Sequence, residues 1–393
     1  MSLRVAFSLI GGRRWTGGYN YLLNLVRSVA THASDRVTPV MLFGADVEPA
    51  ERAPFAALPG VELIDAPAMA RGRRQLASLR ALILGNDPPV RRLIRAHGID
   101  AVFEADHFLG WRCGTPVIAW IPDFQHRSLP QNFPWYRWWR RDLAYRIQAR
   151  CGRTMMLSSE DARRVCEEHY PASRGRTHVV HFSVPPPDFA TTAQRLDVRN
   201  AYGLPERFLY MPNQFWRHKN HLVVIEALEL LGRRGRSDVV VAASGKQLDA
   251  YAPDHARYVV EQVRRLGLER RFRLLGEIPY DHVGVLLQAC VALLNPSSCE
   301  GWSTTVEEAR AVGTPLLLSD LAVHHEQAGP DAHYFDPGDA EALARALESF
   351  VPSPPEVRKS REDHARKASV LRVRAFGERF AALAEACVRD EAG

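Results

Sequence analysis

Asn295-Pro-Ser-Ser-Cys-Glu-Gly-Trp-Ser-Thr-Thr-Val-Glu-Glu-Ala-Arg-Ala-Val-Gly-Thr-Pro315 follows an apolar run and leads into a helical pattern. Ser303, Thr304 and Thr305 are residue types that favour a helix N-terminus, and Gly313 favours the end of that helix. The segment therefore predicts a strand, a loop and a helix in succession. This is the repeating unit of a parallel α/β sheet.

The same alternation of apolar runs and amphipathic stretches continues on both sides of this segment. Candidate strands are Val5–Ile10, Val40–Phe43, Ala101–Phe103, Val117–Trp120, Thr154–Leu157, Val179–Phe182, Phe208–Met211, Val239–Ala243, Phe272–Leu275, Ala292–Leu294 and Leu316–Ser319. Candidate helices include Tyr19–Val29, Pro89–Ala96, Leu222–Leu231, Tyr258–Leu266, Leu286–Cys290, Thr305–Val312, Ala340–Phe350 and Arg372–Val388. We predict an α/β protein with two doubly wound, Rossmann-like parallel sheets.

The domain boundary is predicted from chain length and a proline-rich stretch. A chain of 393 residues exceeds the usual size of one hydrophobic core. The stretch Ser183-Val-Pro-Pro-Pro-Asp188 is stiff and non-helical, as a domain connection is. We predict one domain over residues 1–190, a second over residues 191–370, and a final helix over residues 371–393.

Composition excludes several classes of protein. A hydrophobic content of 46% and a charged content of 24% are typical of a globular chain. The six cysteines are scattered without a CxxC pair, and the net charge of +6 is too dispersed for a nucleic-acid partner. Met1 leads directly into a strand-like run, without the pattern of a signal peptide. We expect a cytoplasmic protein with reduced thiols.

Two glutamates flank the predicted helix start. Glu300 precedes it and Glu308 lies one turn inside it, so one carboxylate can contact a sugar while the other accepts hydrogen bonds from a ribose. The exposed first-turn amides favour a diphosphate, and Gly301 allows close approach to the backbone. Glu307 points about 100° away around the helix. The alternative is a capped surface helix with solvated glutamates.

Glu300 to Glu308 resembles the E-x7-E signature of the retaining GT4 glycosyltransferases, which have the GT-B fold. The surrounding Pro-Ser-x-x-Glu-Gly and Gly-Thr-Pro-x-x-x-Ser-Asp also fit this family. The resemblance implies that Glu300 contacts the donor sugar as a catalytic residue and that Glu308 contacts the ribose. It also implies that the final helix crosses back to the N-terminal domain. Donor contacts are then expected from Gly301, Trp302, Ser303, Thr304 and Thr305, although the family often has Gly-Phe-Gly at residues 301–303.

A basic turn starts the second domain at Met211-Pro-Asn-Gln-Phe-Trp-Arg-His-Lys-Asn-His-Leu222. Lys219, one of four lysines in the chain, can contact phosphates from a helix N-terminus. In the GT4 family this lysine and an arginine five residues earlier hold the diphosphate; here that position is Gln214. Arg217 is the alternative guanidinium, and a solvated basic turn is the alternative interpretation. The form resembles enzymes of bacterial surface polysaccharides.

Other loops are weaker candidates. The family resemblance implies donor contacts from Gly17 and Gly18 after the first strand, and from the loop with Gly276 and Ile278, which would hold the base. A glycine turn of ordinary structural function is the alternative for the first of these loops.

The loop after Val117–Trp120 contains Asp123 and His126. GT4 proteins commonly place a His-Asp pair after this strand, near the transferred sugar, and here Pro122 occupies the histidine position. Asp123 and His126 are candidates for orienting the sugar or the acceptor. A structural histidine is the interpretation that we favour for an isolated residue of this kind.

Residues 135–150 mix aromatic side chains with arginines in a helical pattern. Such a face can lie on an anionic membrane. The favoured alternative is a helix with its aromatic side chains in the core.

These features, with the family resemblance, predict transfer of a sugar from a GDP- or UDP-sugar to a saccharide or lipid-linked acceptor, in bacterial surface polysaccharide synthesis. That the transfer retains the anomeric configuration is implied by the resemblance alone. Helix N-termini, a glycine loop and Lys219 supply phosphate stabilisation, so no metal and no cofactor are expected. Peripheral contact with the inner membrane is a further expectation. The alternatives are a sugar-nucleotide epimerase or phosphorylase on the same fold, and a non-catalytic protein that binds nucleotide sugars.

Overall fold

A computed structural model describes residues 2–10, 15–105, 108–247 and 252–392. The chain forms two compact units. The first unit comprises Met1–Phe124, Asp142–Ser183 and Leu371–Gly393, and the second comprises Gln125–Arg141 and Val184–Val370. The units change over at Ser183 and at Leu371, compared with predicted changes after residues 190 and 370. The segment Gln125–Arg141, which the sequence assigns to the N-terminal domain, is grouped with the second unit.

The described residues of the first unit form a seven-stranded parallel sheet. Its strands are β1 (Leu3–Ser8), β2 (Val37–Phe43), β3 (Glu62–Asp65), β4 (Ala101–Glu104), β5 (Val117–Trp120), β6 (Thr154–Leu157) and β7 (Thr177–Val179). The strand order is β3-β2-β1-β4-β5-β6-β7. Phe7 in β1 pairs with Met41 in β2 on one side and with Phe103 in β4 on the other. All three side chains are buried, as expected for strands covered on both faces.

Seven helices lie between β1 and β7 along the chain in the described residues. They are α1 (Thr16–His32), α2 (Pro49–Ala56), α3 (Arg74–Leu84), α4 (Pro88–Ala96), α5 (Gln125–Ser128), α6 (Trp135–Arg150) and α7 (Glu160–His169). Helix α7 begins after Ser159, whose side chain accepts a hydrogen bond from the amide of Ala162.

The second unit contains a six-stranded parallel sheet within its described residues. Its strands are β8 (Leu209–Met211), β9 (Val241–Ser244), β10 (Phe272–Gly276), β11 (Ala292–Asn295), β12 (Leu316–Ser319) and β13 (His333–Phe335). The strand order is β10-β9-β8-β11-β12-β13, so the direction of winding reverses between β8 and β11. The two parallel sheets confirm the predicted fold class. Ligands of such sheets bind at the point of reversal, beyond the carboxyl ends of the strands.

Eight helices follow β7 along the chain in the described residues. They are α8 (Thr192–Ala201), α9 (His221–Arg233), α10 (Pro253–Arg265), α11 (Tyr280–Ala289), α12 (Thr304–Val312), α13 (Ala322–Ala328), α14 (Ala340–Ser349) and α15 (Pro355–Ala392). Apolar residues of α9, α10 and α14 pack on one face of the sheet, and those of α11 and α12 on the other. Covering both faces in this way explains why the central strands are uninterrupted apolar runs.

The last part of α15 completes the core of the first unit. Phe376 and Phe380 are buried, and the Phe380 ring lies 5.5 Å from that of Phe7. Arg36 and Glu385 form an ion pair at 2.7 Å. A Cβ atom at Gly377 would lie 2.5 Å from the carbonyl oxygen of Ser28, so glycine permits the close approach of α15 to α1.

Candidate active site

The loops that follow β8 and β11 are joined directly at the carboxyl edge of the second sheet. The amide of Ser298 donates a hydrogen bond to the carbonyl of His218 at 2.8 Å. The ammonium of Lys219 donates to Oε1 of Glu300 at 2.6 Å. The two side chains are 13% and 8% exposed. Two groups predicted from separate sequence segments therefore form one largely buried ion pair.

The position of Lys219 follows from the turn before α9. Arg217–Lys219 is a single 3-10 turn, and Asn220 then adopts a left-handed conformation with φ 55°. Asparagine tolerates this conformation better than most residues. The side chain of Asn220 donates to the carbonyl of Pro337 at 2.8 Å, which holds the turn in place. Arg217 lies exposed on the same turn.

The electrostatic surroundings keep Glu300 ionised. Burial raises the pKa of the Glu300 carboxyl, but Lys219 and His218 together outweigh burial and hold the pKa below its ordinary value. The carboxylate is therefore charged at neutral pH. A buried ion pair of this kind is costly to break by removing one partner, because the other charge is left uncompensated.

Helix α12 begins at this ion pair. Ser303 is its N-cap residue, but the Ser303 side chain does not cap the first turn, contrary to the sequence expectation. Its hydroxyl instead accepts a hydrogen bond from Nδ2 of Asn295 at 2.8 Å, and its amide donates to Gln327 at 3.2 Å. Asn295 also contacts the hydroxyl of Thr305 at 3.3 Å. These hydrogen bonds fix the loop. The Ser303 side chain does not cap the positive end of α12.

The two adjacent glutamates of α12 have different surroundings, as helical spacing predicts. Glu307 is 1% exposed and is bound by Arg310 and Gln327, which gives it a structural role. Glu308 is half-buried, and the hydroxyl of Tyr280 donates to its Oε1 at 2.7 Å. Burial raises the pKa of Glu308 to about 7, against the opposing effect of the Tyr280 hydroxyl.

Neighbouring loops of the second sheet contain the remaining candidates of this unit. Oε1 of Gln214 accepts a hydrogen bond from the amide of Lys246 at 3.1 Å, so this side chain holds the loop after β9. The carbonyl of Gly276 accepts from the amide of Gly245 at 2.8 Å. Ile278 packs on the core between the sheet and α11–α12. Gly301 is buried, and Trp302 and Thr304 are half-buried.

Two buried residues of this region are absent from the sequence prediction. Nδ1 of His324 lies 2.8 Å from the carbonyl of Ser319, and burial lowers the pKa of His324 although Glu300 opposes this. A carbonyl only accepts, so Nδ1 holds the proton and Nε2 is an acceptor. Within the described residues neither Nε2 of His324 nor Nδ2 of Asn213 has a hydrogen-bond partner. His324 comes shortly after Ser319-Asp320, the end of the Gly-Thr-Pro-x-x-x-Ser-Asp motif. This position in the sequence could have identified His324 as a candidate.

The structure gives Gly17 and Gly18 a packing role in the first unit. Both lie in the first turn of α1, and residues 11–14 of the predicted glycine loop are outside the described residues. A Cβ atom at Gly18 would lie 2.5 Å from the ring of Trp15. That ring stacks on Trp120 at the end of β5, with centroids 6.0 Å apart. The lack of a side chain at Gly17 and Gly18 therefore leaves space for the Trp15 indole.

The surroundings of His126 favour the structural interpretation. His126 is fully buried, and its ring meets those of Phe133 and Trp138 edge-on. Its carbonyl accepts a hydrogen bond from the indole of Trp138 at 2.6 Å. In the first unit, the carbonyl of Asp123 accepts from the hydroxyl of Tyr145 at 3.4 Å. These contacts order the loop after β5.

The favoured interpretation of residues 135–150 as core aromatics is wrong for three side chains. Trp135 is 77% exposed, Trp139 is 59% exposed and Tyr136 is 53% exposed. Trp138 is half-buried, with the Arg127 guanidinium 4.6 Å from its ring. The start of α6 thus presents an aromatic face that the protein does not cover.

Two kinds of feature are absent from the described residues. None of the helices in residues 2–10, 15–105, 108–247 and 252–392 is both long and apolar enough to span a bilayer. The same residues contain no cluster of three or more His, Cys, Asp or Glu side chains arranged for a metal ion.

Residues 195–368 match the family model described as glycosyl transferases group 1. The O-antigen chain mannosyltransferase RfbU of Salmonella typhimurium is 30% identical over 101 residues, which are 26% of this chain and 29% of that protein. The MMP alpha-(1->4)-mannosyltransferase of Mycolicibacterium hassiacum is 22% identical over 267 residues, 65% of this chain and 62% of that protein. The matches thus span less than two thirds of either relative.

A likeness to a solved structure extends over nearly the whole chain. The structure of Anabaena Alr3699/HepE in complex with UDP and glucose has a TM-score of 0.67 at 16% identity, covering 96% of this chain and 98% of that one. At this level of identity the likeness establishes the fold. The predicted GT-B class is confirmed.

Proposed function

Because residues 195–368 match the family model of glycosyl transferases group 1, we propose that the protein moves a sugar from a nucleoside diphosphate sugar to a hydroxyl acceptor. The observation that supports this best is the buried Lys219–Glu300 ion pair beside the start of α12. It provides a cation for the diphosphate and a carboxylate for the sugar at one point. Within the described residues Nδ2 of Asn213, in the loop after β8, and Nε2 of His324, in α13 after β12, have no partner, and both suit a polar ligand.

The diphosphate is stabilised by the positive end of α12 and by Lys219. Lys219 then exchanges Glu300 for the phosphates, and Glu300 accepts hydrogen bonds from the sugar. The bond between the anomeric carbon and the phosphate oxygen breaks, and its electron pair leaves with the nucleoside diphosphate. Fixed dipoles and charge lower the barrier to this step.

The acceptor oxygen forms the new bond on the face from which the diphosphate departs, and its proton passes to the leaving phosphate oxygen. Retention of configuration is supported by the E-x7-E resemblance of Glu300 and Glu308. The carboxyl of Glu308 accepts hydrogen bonds from the ribose. We propose that this reaction needs no metal ion, because the α12 dipole and Lys219 balance the charge of the leaving group.

We propose a mannosyl group as the transferred sugar and a surface polysaccharide precursor as its acceptor. The names of two relatives support this, since both are mannosyltransferases and one acts in O-antigen synthesis. GDP and UDP are both candidate carriers. The solved structure of similar fold contains UDP and glucose, so a UDP-sugar is retained as a candidate donor.

The test is a transfer assay with GDP-mannose, UDP-glucose and related donors on saccharide and lipid-linked acceptors. Glu300→Gln and Lys219→Ala are expected to lower kcat/KM by about a hundredfold or more, since each removes a group that stabilises the transition state. Lys246→Ala is the matched control, because this lysine lies at the same sheet edge and binds Gln214 and Phe215 through its backbone.

Unchanged transfer by both site variants would refute the proposal. Epimerisation of the donor without acceptor, or release of sugar phosphate when phosphate is added, would instead favour an epimerase or a phosphorylase. Binding of the donor without any turnover across the acceptor set would favour a non-catalytic binding protein.

We also propose peripheral membrane contact through the start of α6. Trp135, Tyr136 and Trp139 are exposed, and Arg140 is exposed beside them. Aromatic rings and arginines together suit the interface of an anionic bilayer. Trp135→Ser with Trp139→Ser should reduce flotation with phosphatidylglycerol vesicles, whereas Leu196→Ser, at an exposed site on α8, should not. Equal flotation of all three proteins would count against this contact.

A further inference from the structure

A second polar pocket lies in the first unit, with a volume of 510 Å³. It is lined by Arg91 of α4, by Leu84 at the end of α3, by Trp111, Arg112 and Thr115 before β5, and by Arg153 before β6. We call it the arginine pocket. Residues 111–115 and Arg153 precede their strands, so this pocket lies at the amino ends of β5 and β6. Donor ligands of parallel sheets bind at the opposite edge.

The positive charge of the arginine pocket exceeds its negative charge. Arg153 is 5% exposed and donates to the carbonyl of Gly110 at 2.7 Å and to Glu104 at 3.4 Å. Neither Arg91 nor Arg112 has an acidic partner among the residues that the structure describes. The pocket is therefore lined, among the described residues, by three arginines and by no acidic side chain, and the nearby buried carboxylates of Glu104 and Asp87 contact Arg153 and Arg80. An anion in the pocket would compensate the excess.

Hydrogen-bond donors in the arginine pocket are also unsatisfied. Nε of Arg91 and Nε of Arg153 are buried, and within the described part of the chain neither has a hydrogen-bond partner. The side chain of Thr115 lines the same pocket and is 8% exposed. Buried polar atoms of folded proteins almost always have a hydrogen-bond partner. Two buried guanidinium donors without one therefore indicate that a ligand supplies the acceptor. Guanidinium groups match the geometry of phosphate oxygens.

The rim of the arginine pocket is apolar and open to solvent. Leu84 and Trp111 line the pocket and are 53% and 47% exposed, and Ile83, the neighbour of Leu84 in the chain, is 67% exposed. Gly85 ends α3 with φ 78°, and a Cβ atom there would lie 2.8 Å from the Trp111 indole nitrogen. Glycine thus lets the indole pack on the end of α3, which joins the apolar side chains into one rim. A small, fully hydrated anion would gain no binding energy from contact with this apolar rim.

We propose that the arginine pocket binds the phosphate group of an anionic phospholipid, with Ile83, Leu84 and Trp111 in the interfacial layer of the bilayer. The guanidinium groups meet the phosphate, and the apolar rim meets the lipid that bears it. This site uses none of the residues assigned to glycosyl transfer, so it stands or falls separately from that function.

The proposal is tested by flotation with vesicles of phosphatidylcholine with and without phosphatidylglycerol. Wild-type protein should float with the anionic vesicles, and Arg91→Gln with Arg112→Gln should weaken binding by about tenfold or more. The matched control is Arg92→Gln with Arg95→Gln, which removes the same charge from exposed positions of α4. If the two double variants lose binding equally, the attraction is general and the pocket is not a lipid site.

A second measurement follows the pocket itself. Cys151 lines the arginine pocket and is half-buried, so its alkylation by iodoacetamide can be followed by peptide mass spectrometry. Anionic vesicles should slow alkylation of Cys151 in wild-type protein and leave it unchanged in the Arg91 and Arg112 double variant. Ile83→Ser with Trp111→Ser should lose this protection. Protection by inorganic phosphate at equal ionic strength without protection by vesicles would overturn the lipid assignment in favour of a soluble phosphate.

Discussion

At the scale of single residues, Lys219 and Glu300 depend on each other for stability before any ligand binds. Their charges are joined at 2.6 Å in a largely buried setting. Lys219→Ala leaves a carboxylate without a counter-charge, which should lower the free energy of unfolding by about 3 kcal/mol. Adding Glu300→Gln to that variant should restore much of the loss, because no buried charge remains. Thermal unfolding of the three proteins checks this order, and a double variant less stable than Lys219→Ala would contradict it.

Glu308 gives a pH-dependent prediction. Its pKa of about 7 in the folded protein exceeds the ordinary value of 4.5. Between these values the unfolded chain ionises first, so the stability contributed by this group is present below pH 4.5 and is lost as the pH rises to about 7. Glu308→Gln should therefore leave Tm unchanged near pH 4.5 and raise it at pH 8. The exposed Glu277→Gln is the control, and a Tm difference that is constant with pH would contradict the assignment.

At the scale of elements, Gly18 tests whether the glycines of α1 serve packing. Alanine normally stabilises a helix by about 1 kcal/mol relative to glycine. At Gly18 the added methyl group would overlap the Trp15 ring, so Gly18→Ala should destabilise the protein despite this gain. Gly284 in α11 is the matched control, because a Cβ atom there meets nothing within 4 Å, and Gly284→Ala should stabilise. Equal changes in Tm would show that the indole contact is unimportant.

Strands were predictable where burial is continuous and were missed where it alternates. Strands β5, β6 and β12 have the predicted bounds, because all or nearly all of their residues are buried. The prediction omits β3 and β13, which lie at sheet edges and expose Leu63, Asp65 or His333. Of the two other edge strands, β7 is Thr177–Val179 where Val179–Phe182 was predicted, whereas β10 is Phe272–Gly276 where Phe272–Leu275 was predicted. An edge strand has one neighbour, so the apolar signal is short and its register is poorly marked.

The candidate site residues were also predictable only where a local sequence pattern marks them. Glu300, Glu308 and Lys219 were found because motif spacing and strand ends mark the loops in which they lie. The Lys219–Glu300 contact and the buried His324 depend on which strands are adjacent, and β8 and β11 are separated by about eighty residues of sequence. No local pattern encodes that adjacency.

At the scale of the whole molecule, the first unit depends on the end of the chain. Gly377 of α15 approaches the carbonyl of Ser28 so closely that an added methyl group meets main-chain atoms, which cannot move aside as a side chain would. Gly377→Ala should therefore destabilise the protein by about 1–3 kcal/mol. Thermal unfolding measures this, and Gly284→Ala again supplies the control. An unchanged Tm would mean that α15 shifts without cost.

The grouping of Leu371–Gly393 with Met1–Phe124 and Asp142–Ser183 has a consequence for synthesis on the ribosome. Phe376 and Phe380 are translated after Val184–Val370, yet they fill the interior beside β1. Val184–Val370 emerges as one nearly complete folding unit, whereas the earlier-made portion keeps an open hydrophobic surface until residues 371–393 have emerged. Nascent chains stalled before residue 371 should consequently recruit chaperones through their N-terminal part, and emergence of residues 371–393 should end that recruitment.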